Sequence, residues 1–244
     1  MRNLKMELCY DGTRYRGWQR IPGVDNTIQG KLEQTLGRIL GEQVEVSGSG
    51  RTDAGVHAMR QVINVHINSA MPCEEILASL RRYLPEDIGI YSCKDASERF
   101  HARLNAKEKT YCYRLWCGDV PCVFERRYVT VMHCKPDVAA MRQAAAFLLG
   151  SHDFFAFCAN KHMKKSTVRT LFALEIEEVG PEIRFLVTGN GFLHNMVRIL
   201  VGTLLEVGEG KRSPESIPAL FGAARADAGP VMPPAGLCLM EVKY

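Results

Sequence analysis

A single carboxylate lies in a glycine-rich stretch at residues 47–58 and is the first candidate for chemistry in this chain. Glycines in the stretch permit backbone angles closed to other residues, so the chain can fold tightly there and aim one side chain inward. Asp53 is that side chain, with Arg51 and His57 close by in sequence. The alternative is a surface turn between two strands, in which Asp53 forms an Asx turn and Arg51 is solvated.

Arg198 is a second candidate, because the residues around it at 193–207 are largely apolar. Burying an unpaired guanidinium costs several kcal/mol, so we expect a carboxylate to meet it, with Asp53 as the candidate. Alternatively, Arg198 reaches the surface or pairs with Glu206. A neighbouring cation would keep Asp53 ionised in a dry pocket, and an ionised carboxylate is a usable nucleophile. One carboxylate flanked by arginines does not suit ordinary glycoside hydrolysis, which uses a pair of acids.

Residues 107–114 alternate like a strand, which places Lys109, Tyr111 and Tyr113 on one face. Basic and aromatic groups on a shared face suit binding of a nucleotide. Alternatively, the tyrosines pack in the core of a sheet and their hydroxyls reach its edge. The residues alone leave both interpretations open.

The composition predicts a globular protein, and its net positive charge permits an anionic partner without requiring one. The chain has 244 residues, 46% of them apolar, and a formal net charge of +4. Nine scattered cysteines without a CxxC pair predict reduced core residues in a cytosolic protein. No dinucleotide fingerprint, P-loop or metal-ligand cluster is visible, and the apolar run at 192–207 falls short of the ~20 residues of a membrane anchor. We therefore expect no cofactor, no metal and no membrane.

Basic residues gather in three segments, an arrangement that suits a groove tracking phosphates, although each alone is more often a solvated face. They are Arg14, Arg16 and Arg20; Arg99, Arg103, Lys107 and Lys109; and Lys161, Lys164, Lys165 and Arg169.

The apolar patterning predicts an α+β fold with a largely antiparallel sheet, because strands and helices mix without regular alternation. A soft boundary near Ala106 divides the chain into 1–105, which carries the aspartate, and 106–244, which carries Tyr111 and Arg198. Expected strands lie at 4–10, 43–47, 60–68, 88–95, 109–117, 127–132, 167–179, 182–188 and 237–243. Expected helices begin after a cap at Asn26, at Pro72, at Pro136 (ending by Gly150), near Leu193 and at Ser213.

The stretches named above, with five more at 10–19, 100–103, 150–154, 166–170 and 233–237, cover nearly the whole chain. Together they resemble the tRNA pseudouridine synthase A family. The resemblance implies that Asp53 is the nucleophile, that Arg198 pairs with it, and that Tyr111 stacks on the target uracil. It also implies two ferredoxin-like halves meeting around a basic central cleft, and a homodimer. Phe155 and residues 130–132 depart from the family pattern.

The implied reaction converts uridine to pseudouridine at positions 38, 39 and 40 in the anticodon stem-loop of tRNA, in the cytoplasm. Candidate substrate-binding residues beside Tyr111 are Arg51, His57, Arg14, Arg16, Arg103, Lys109 and Arg169. One competing hypothesis is a non-catalytic RNA-binding module, in which Asp53 only shapes a turn. A weaker one is a metal-dependent hydrolase that uses His57, His66, His101 and the thiols.

Overall fold

The structure is a computed structural model that describes residues 1–160 and 162–244. Lys161, a member of the third basic segment, lies outside the described residues. The chain divides into two compact units, Met1–Lys107 with Cys238–Tyr244, and Glu108–Leu237. The division therefore falls two residues beyond the boundary expected from the sequence, and it assigns the last seven residues to the first unit. No helix among the described residues has the length and apolarity needed to cross a membrane.

The first unit has the element order β-α-β-β-α-β followed by most of the final strand. The elements are β1 (Arg2–Tyr10), α1 (Ile28–Leu40), β2 (Val46–Gly48), β3 (His57–Ile67), α2 (Cys73–Tyr83), β4 (Ile88–Ala96) and β10 (Leu237–Lys243). The sheet has the order β4-β1-β3, with β2 antiparallel to β3. In the final strand, β10, Cys238 and Leu239 pair in parallel with the start of β3.

The core of the first unit follows from two periodicities. Alternate residues of β1 point to one face of the sheet, and Leu4, Met6 and Leu8 are fully buried. In α1 the buried residues Ile28, Leu32 and Leu36 recur at the helical spacing. Apolar patterning thus fixes both elements that flank the loop at residues 11–27.

The elements of the second unit are β5 (Glu108–Trp116), β6 (Thr130–Val131), α3 (Val138–Phe147), β7 (Gly150–Asp153), β8 (Val168–Val179), β9 (Glu182–Gly189) and α4 (Met196–Gly208). Its antiparallel sheet has the order β5-β9-β8-β7, with the short β6 parallel to β5. The helices α3 and α4 contact each other, and α4 also contacts β5. The α+β class and the largely antiparallel sheet are confirmed, whereas the ferredoxin-like description of two halves around a basic cleft stays a prediction.

Several local expectations are wrong. Thr27, not Asn26, caps α1: its Oγ1 accepts from the Gly30 N–H at 3.2 Å, while the Asn26 amide donates to the Arg14 carbonyl. The strand expected at 127–132 is only two residues long. The fourth helix begins at Met196 rather than near residue 193, because Asn195 has left-handed backbone angles that interrupt the helix.

The cysteines are not all core residues. Cys93, Cys112 and Cys158 are buried, whereas Cys134 is exposed and the others are half-buried. Burial raises the pKa of the Cys112 thiol to about 11. The buried Cys112 thiol thus behaves as a small apolar group.

Candidate active site

The loop that carries Asp53, residues 49–56, lies between β2 and β3 and is called the aspartate loop below. The Trp18 N–H donates to the Thr52 carbonyl at 3.0 Å, and the Tyr10 hydroxyl lies 2.9 Å from Thr52 Oγ1. Thr52 and Trp18 are buried. The loop at residues 11–18 therefore holds the aspartate loop through Thr52, the buried residue that precedes Asp53.

Two glycines let these loops approach more closely than any other residue would allow. A Cβ on Gly17, whose φ is +94°, would lie 2.9 Å from the Thr52 carbonyl oxygen and 3.2 Å from the Asp53 carbonyl carbon. A Cβ on Gly12 would lie 2.0 Å from the Val56 carbonyl oxygen. The contact is thus backbone against backbone on both sides of Asp53.

Gln61 on β3 fixes the entrance to the aspartate loop. Its amide nitrogen donates to the Gly50 carbonyl at 3.1 Å, and its amide oxygen accepts from the Ser49 hydroxyl at 2.5 Å. Gln61 and Ser49 are fully buried. Since a buried amide is costly unless it is hydrogen-bonded, these contacts stabilise one conformation of the loop.

Asp53 itself is half-buried, and Arg51 is exposed. The Val56 N–H donates to the Asp53 carbonyl at 3.2 Å, closing a turn in which Gly55 has a φ of +78°. His57 is buried; its Nδ1 accepts from the Gly12 N–H at 3.1 Å and lies 3.2 Å from Asp11 Oδ1. The hydrogen-bonded turn thus fixes the backbone of a half-buried aspartate.

The remaining basic candidates of the first unit differ in their surroundings. Arg14 is exposed and pairs with Asp87 at 2.6 Å, and the Tyr15 hydroxyl also donates to that carboxylate. Hydrogen bonding to Asp87 raises the pKa of Arg14. Arg16 and Arg103 are exposed. Arg14 therefore has a structural partner within its own unit.

The segment that carries Arg103 is tied to the sheet by two buried asparagines. Asn64 Oδ1 accepts from the Ala102 N–H at 2.9 Å, and the Asn3 amide donates to the Phe100 carbonyl at 2.8 Å. The two side chains also bond each other at 3.1 Å. Neither residue was singled out from the sequence, where an asparagine within a strand pattern gives no signal of what it binds.

In the second unit the two tyrosines of β5 lie in the core. Tyr111 is 7% exposed, and its ring meets Phe192 edge-on with centroids 5.1 Å apart. The fully buried Tyr113 donates to the Pro233 carbonyl at 2.8 Å, and burial raises its pKa to about 12. Core packing, the alternative to nucleotide binding on this strand, thus describes both rings, and stacking of Tyr111 on a base stays a prediction.

Lys109 and Arg169 are both half-buried. The Arg169 guanidinium donates to the Ser166 carbonyl at 2.9 Å and to the Val168 carbonyl at 2.6 Å. Burial lowers its pKa from the ordinary value. These local bonds hold the Arg169 side chain against its own strand.

Arg198 lies in the first turn of α4 and is half-buried among apolar neighbours. Its Nε donates to the Met232 carbonyl at 2.6 Å, and its Nη1 donates to Asn195 Oδ1 at 2.7 Å. Glu206, the alternative partner considered from the sequence, pairs with Arg212 at 3.1 Å. Asn195 was missed because the expected helix ran through it.

Asp53, Arg51, His57, Arg14, Arg16 and Arg103 thus belong to the first unit, and Tyr111, Lys109, Arg169 and Arg198 belong to the second. Within the first unit the structure brings the aspartate loop together with the loop at residues 11–18. The pairing of Asp53 with Arg198 and the substrate contacts stay predictions. Among the described residues, no three His, Cys, Asp or Glu side chains are grouped as a metal site requires.

Comparison with known proteins agrees with the resemblance. A family model described as tRNA pseudouridine synthase matches residues 9–105 and 144–244. The protein named tRNA pseudouridine synthase A 2 of Bacillus cereus (strain ZK / E33L) is 42% identical over 245 residues, and tRNA pseudouridine synthase A 1 of Clostridium tetani (strain Massachusetts / E88) is 46% identical; both alignments cover 100% of each chain. A solved Cbf5-Nop10-Gar1 complex contains a chain that is 13% identical, with a TM-score of 0.39, covering 97% of this chain and 48% of that one. On the family match and these identities, the chain belongs to the tRNA pseudouridine synthase family.

Proposed function

We propose that this protein converts uridine to pseudouridine at positions 38, 39 and 40 in the anticodon stem-loop of tRNA, with Asp53 as the nucleophile. Membership of the family supports the reaction class, an isomerisation. The observation that carries the role of Asp53 is the fixed turn that holds it, with close backbone packing from Gly12 and Gly17. A catalytic group must be held within fractions of an ångström, and this turn is built to do so.

The reaction balances without an added reagent. The bond between uracil N1 and ribose C1′ breaks, the base turns, and a bond forms between C5 and C1′. The proton leaves C5, and N1 ends as an N–H. Nothing is oxidised and no group is donated, so the chemistry needs a nucleophile, a proton acceptor and a means of holding the base.

Asp53 performs the first step in this proposal by attacking C1′ of the ribose or the uracil ring, or by promoting departure of uracil. Arg198 pairs with it and keeps the carboxylate ionised, since an adjacent cation favours the charged form. The contacts of Arg198 with Met232 and Asn195 support a held guanidinium rather than a mobile one.

A uridine inside a stem must leave its stack before it can react. The exposed Arg51, two residues before Asp53, is suited to fill the gap. The proposal assigns stacking on the extruded base to Tyr111, of whose surface 7% is exposed. The exposed Arg16 and Arg103 are suited to phosphates. The proposal assigns a further set of side chains in both units either to phosphate contacts or to the wall of the cleft. That set is His57, Arg14, Lys109 and Arg169. The protein acts as a homodimer in the cytoplasm in this proposal.

The test is to incubate the protein with an unmodified tRNA transcript and no added cofactor, and then map pseudouridine along the product. We expect pseudouridine at 38, 39 and 40 wherever the transcript has uridine there. A matched transcript with cytidine at those positions is the control. Tight binding with no pseudouridine anywhere would instead support an RNA-binding module, and activity lost with a chelator and restored by zinc would support a metal enzyme.

A further inference from the structure

Asn195 has a backbone conformation that sets it apart. Among the described residues it is the one non-glycine with a positive φ, at 60° with ψ 10°. The left-handed conformation is unfavourable for residues with a Cβ, although asparagine tolerates it better than most. A strained backbone next to α4, the helix that carries Arg198, is maintained where the side chain makes a specific contact.

The Asn195 side chain does not perform the usual task of its position. An asparagine that precedes a helix ordinarily accepts a hydrogen bond from a backbone N–H of the first turn. Within α4, all of whose residues are described, no backbone N–H donates to this side chain. Its Oδ1 instead accepts from Arg198 Nη1 at 2.7 Å. A capping interaction has been exchanged for a contact with the guanidinium.

The second acceptor for Arg198, the Met232 carbonyl, is also held in place by hydrogen bonds and close packing. Arg198 Nε donates to the Met232 carbonyl at 2.6 Å, and the Met232 N–H donates back to the Arg198 carbonyl at 3.3 Å. The segment just before Met232 packs tightly on α4. Gly229 N–H donates to the buried Thr203 hydroxyl at 2.9 Å, and a Cβ on Gly202 would lie 2.1 Å from the Pro230 carbonyl oxygen.

We propose that Asn195 is a positioning residue that, together with the Met232 carbonyl, fixes the plane of the Arg198 guanidinium for its role beside Asp53. The guanidinium is planar and rigid, so acceptors at Nε and Nη1 leave it a single orientation. The left-handed conformation of Asn195 is what brings its Oδ1 within reach. The inference rests on the proposed function, because it acts through the role assigned there to Arg198.

Two substitutions distinguish the loss of the Oδ1 acceptor from strain in the backbone at residue 195. Asn195→Gly keeps the left-handed conformation without strain and removes the acceptor, whereas Asn195→Ala removes the acceptor and adds strain. We expect kcat for pseudouridine formation to fall about tenfold in both, since hydrogen bonds to charged groups are the stronger kind. KM for tRNA should stay within about twofold, and Tm should fall clearly only in Asn195→Ala.

The control for loss of an asparagine side chain is Asn190→Gly. Asn190 Oδ1 accepts from the Thr170 N–H at 3.0 Å in the same unit. This variant should lower Tm modestly and leave kcat within about twofold. It therefore shows how far loss of one such bond alone changes the rate.

A double-variant cycle gives the decisive comparison. In an Arg198→Lys background, Asn195→Gly should cause no further loss of kcat, because the planar group that it orients has gone. The inference is overturned if Asn195→Gly turns over like the parent, or if its full loss persists on top of Arg198→Lys. If Arg198→Ala lowers kcat but Asn195→Gly does not, only this inference fails. If Arg198→Ala has the parental rate, the proposed pairing fails and takes this inference with it.

Discussion

Replacing Gly17 by alanine tests whether the close packing of the two loops positions Asp53. The added Cβ would lie 2.9 Å from the Thr52 carbonyl oxygen, whereas ordinary contact begins at 3.4 Å. The loops must therefore separate by about 0.5 Å. Since a misplacement of about 1 Å costs roughly a hundredfold in rate, we expect kcat to fall about tenfold.

Gly23 provides a matched control in the same connection between β1 and α1. Its φ is +75°, close to the +94° of Gly17, but apart from Gly23 and its two chain neighbours no described atom lies within 4 Å of its Cβ position. Alanine at either site meets backbone strain of about 1–2 kcal/mol. Only Gly17→Ala adds overpacking, which costs a further ~1–3 kcal/mol.

The assay is single-turnover release of tritium from C5-labelled uridine in tRNA, with urea unfolding measured in parallel. We expect Gly23→Ala to react at the parental rate and Gly17→Ala to react about tenfold more slowly. Equal rates for the two variants would refute the reasoning that the backbone contact positions Asp53.

Three further results are expected. Arg198→Ala should lower both Tm and kcat, because it removes the donor to the Met232 carbonyl and the proposed partner of Asp53; a variant as stable and active as the parent would contradict this. Burial raises the pKa of Glu182, but hydrogen bonds from Arg114 and Arg184 outweigh burial and lower that pKa to about 2. This folded-state pKa lies below the unfolded value of about 4.3, so the stabilisation is complete above pH ~4.3 and is lost as pH falls toward about 2. The difference in unfolding free energy between the parent and Glu182→Gln, measured with urea, should shrink over that range, and a constant difference would argue against it. Binding of tRNA, followed by fluorescence anisotropy, should weaken about a thousandfold between ~50 and ~200 mM salt for roughly six phosphate contacts, whereas a flat response would exclude backbone tracking.

The elements that sequence predicts well are those with a strict apolar period or a proline at the start. β10 occupies the expected residues 237–243, and α2 begins directly after Pro72, where a helix accepts proline without losing a bond. The cap of α1 was misplaced because Asn26 and Thr27 are both good capping residues. Which of them caps depends on the contact of Asn26 with the Arg14 carbonyl, twelve residues away.

In the candidate site, too, some features follow from the sequence and others depend on contacts between distant segments. Residue types and spacing single out Asp53 and Arg198 as candidates, because a carboxylate among glycines and an arginine among apolar residues are both locally unusual. Their catalytic roles stay predictions. The contacts that hold them were not visible, because they join distant segments. Gly17 meets the aspartate loop about 35 residues further along the chain, and Arg198 meets Met232 across 34 residues. Asn195 was hidden because its departure from helical geometry is a property of the backbone.

The most direct test of the account is Asp53→Asn, which keeps the size of the side chain and removes the nucleophilic charge. The matched control is Asp119→Asn, at an exposed position in the second unit. Both variants should bind unmodified tRNA within about threefold of the parent, since little of the affinity comes from a carboxylate. The account predicts that Asp119→Asn makes pseudouridine at the parental rate and that Asp53→Asn makes none at positions 38, 39 and 40. Pseudouridine formed by Asp53→Asn at the parental rate would contradict it.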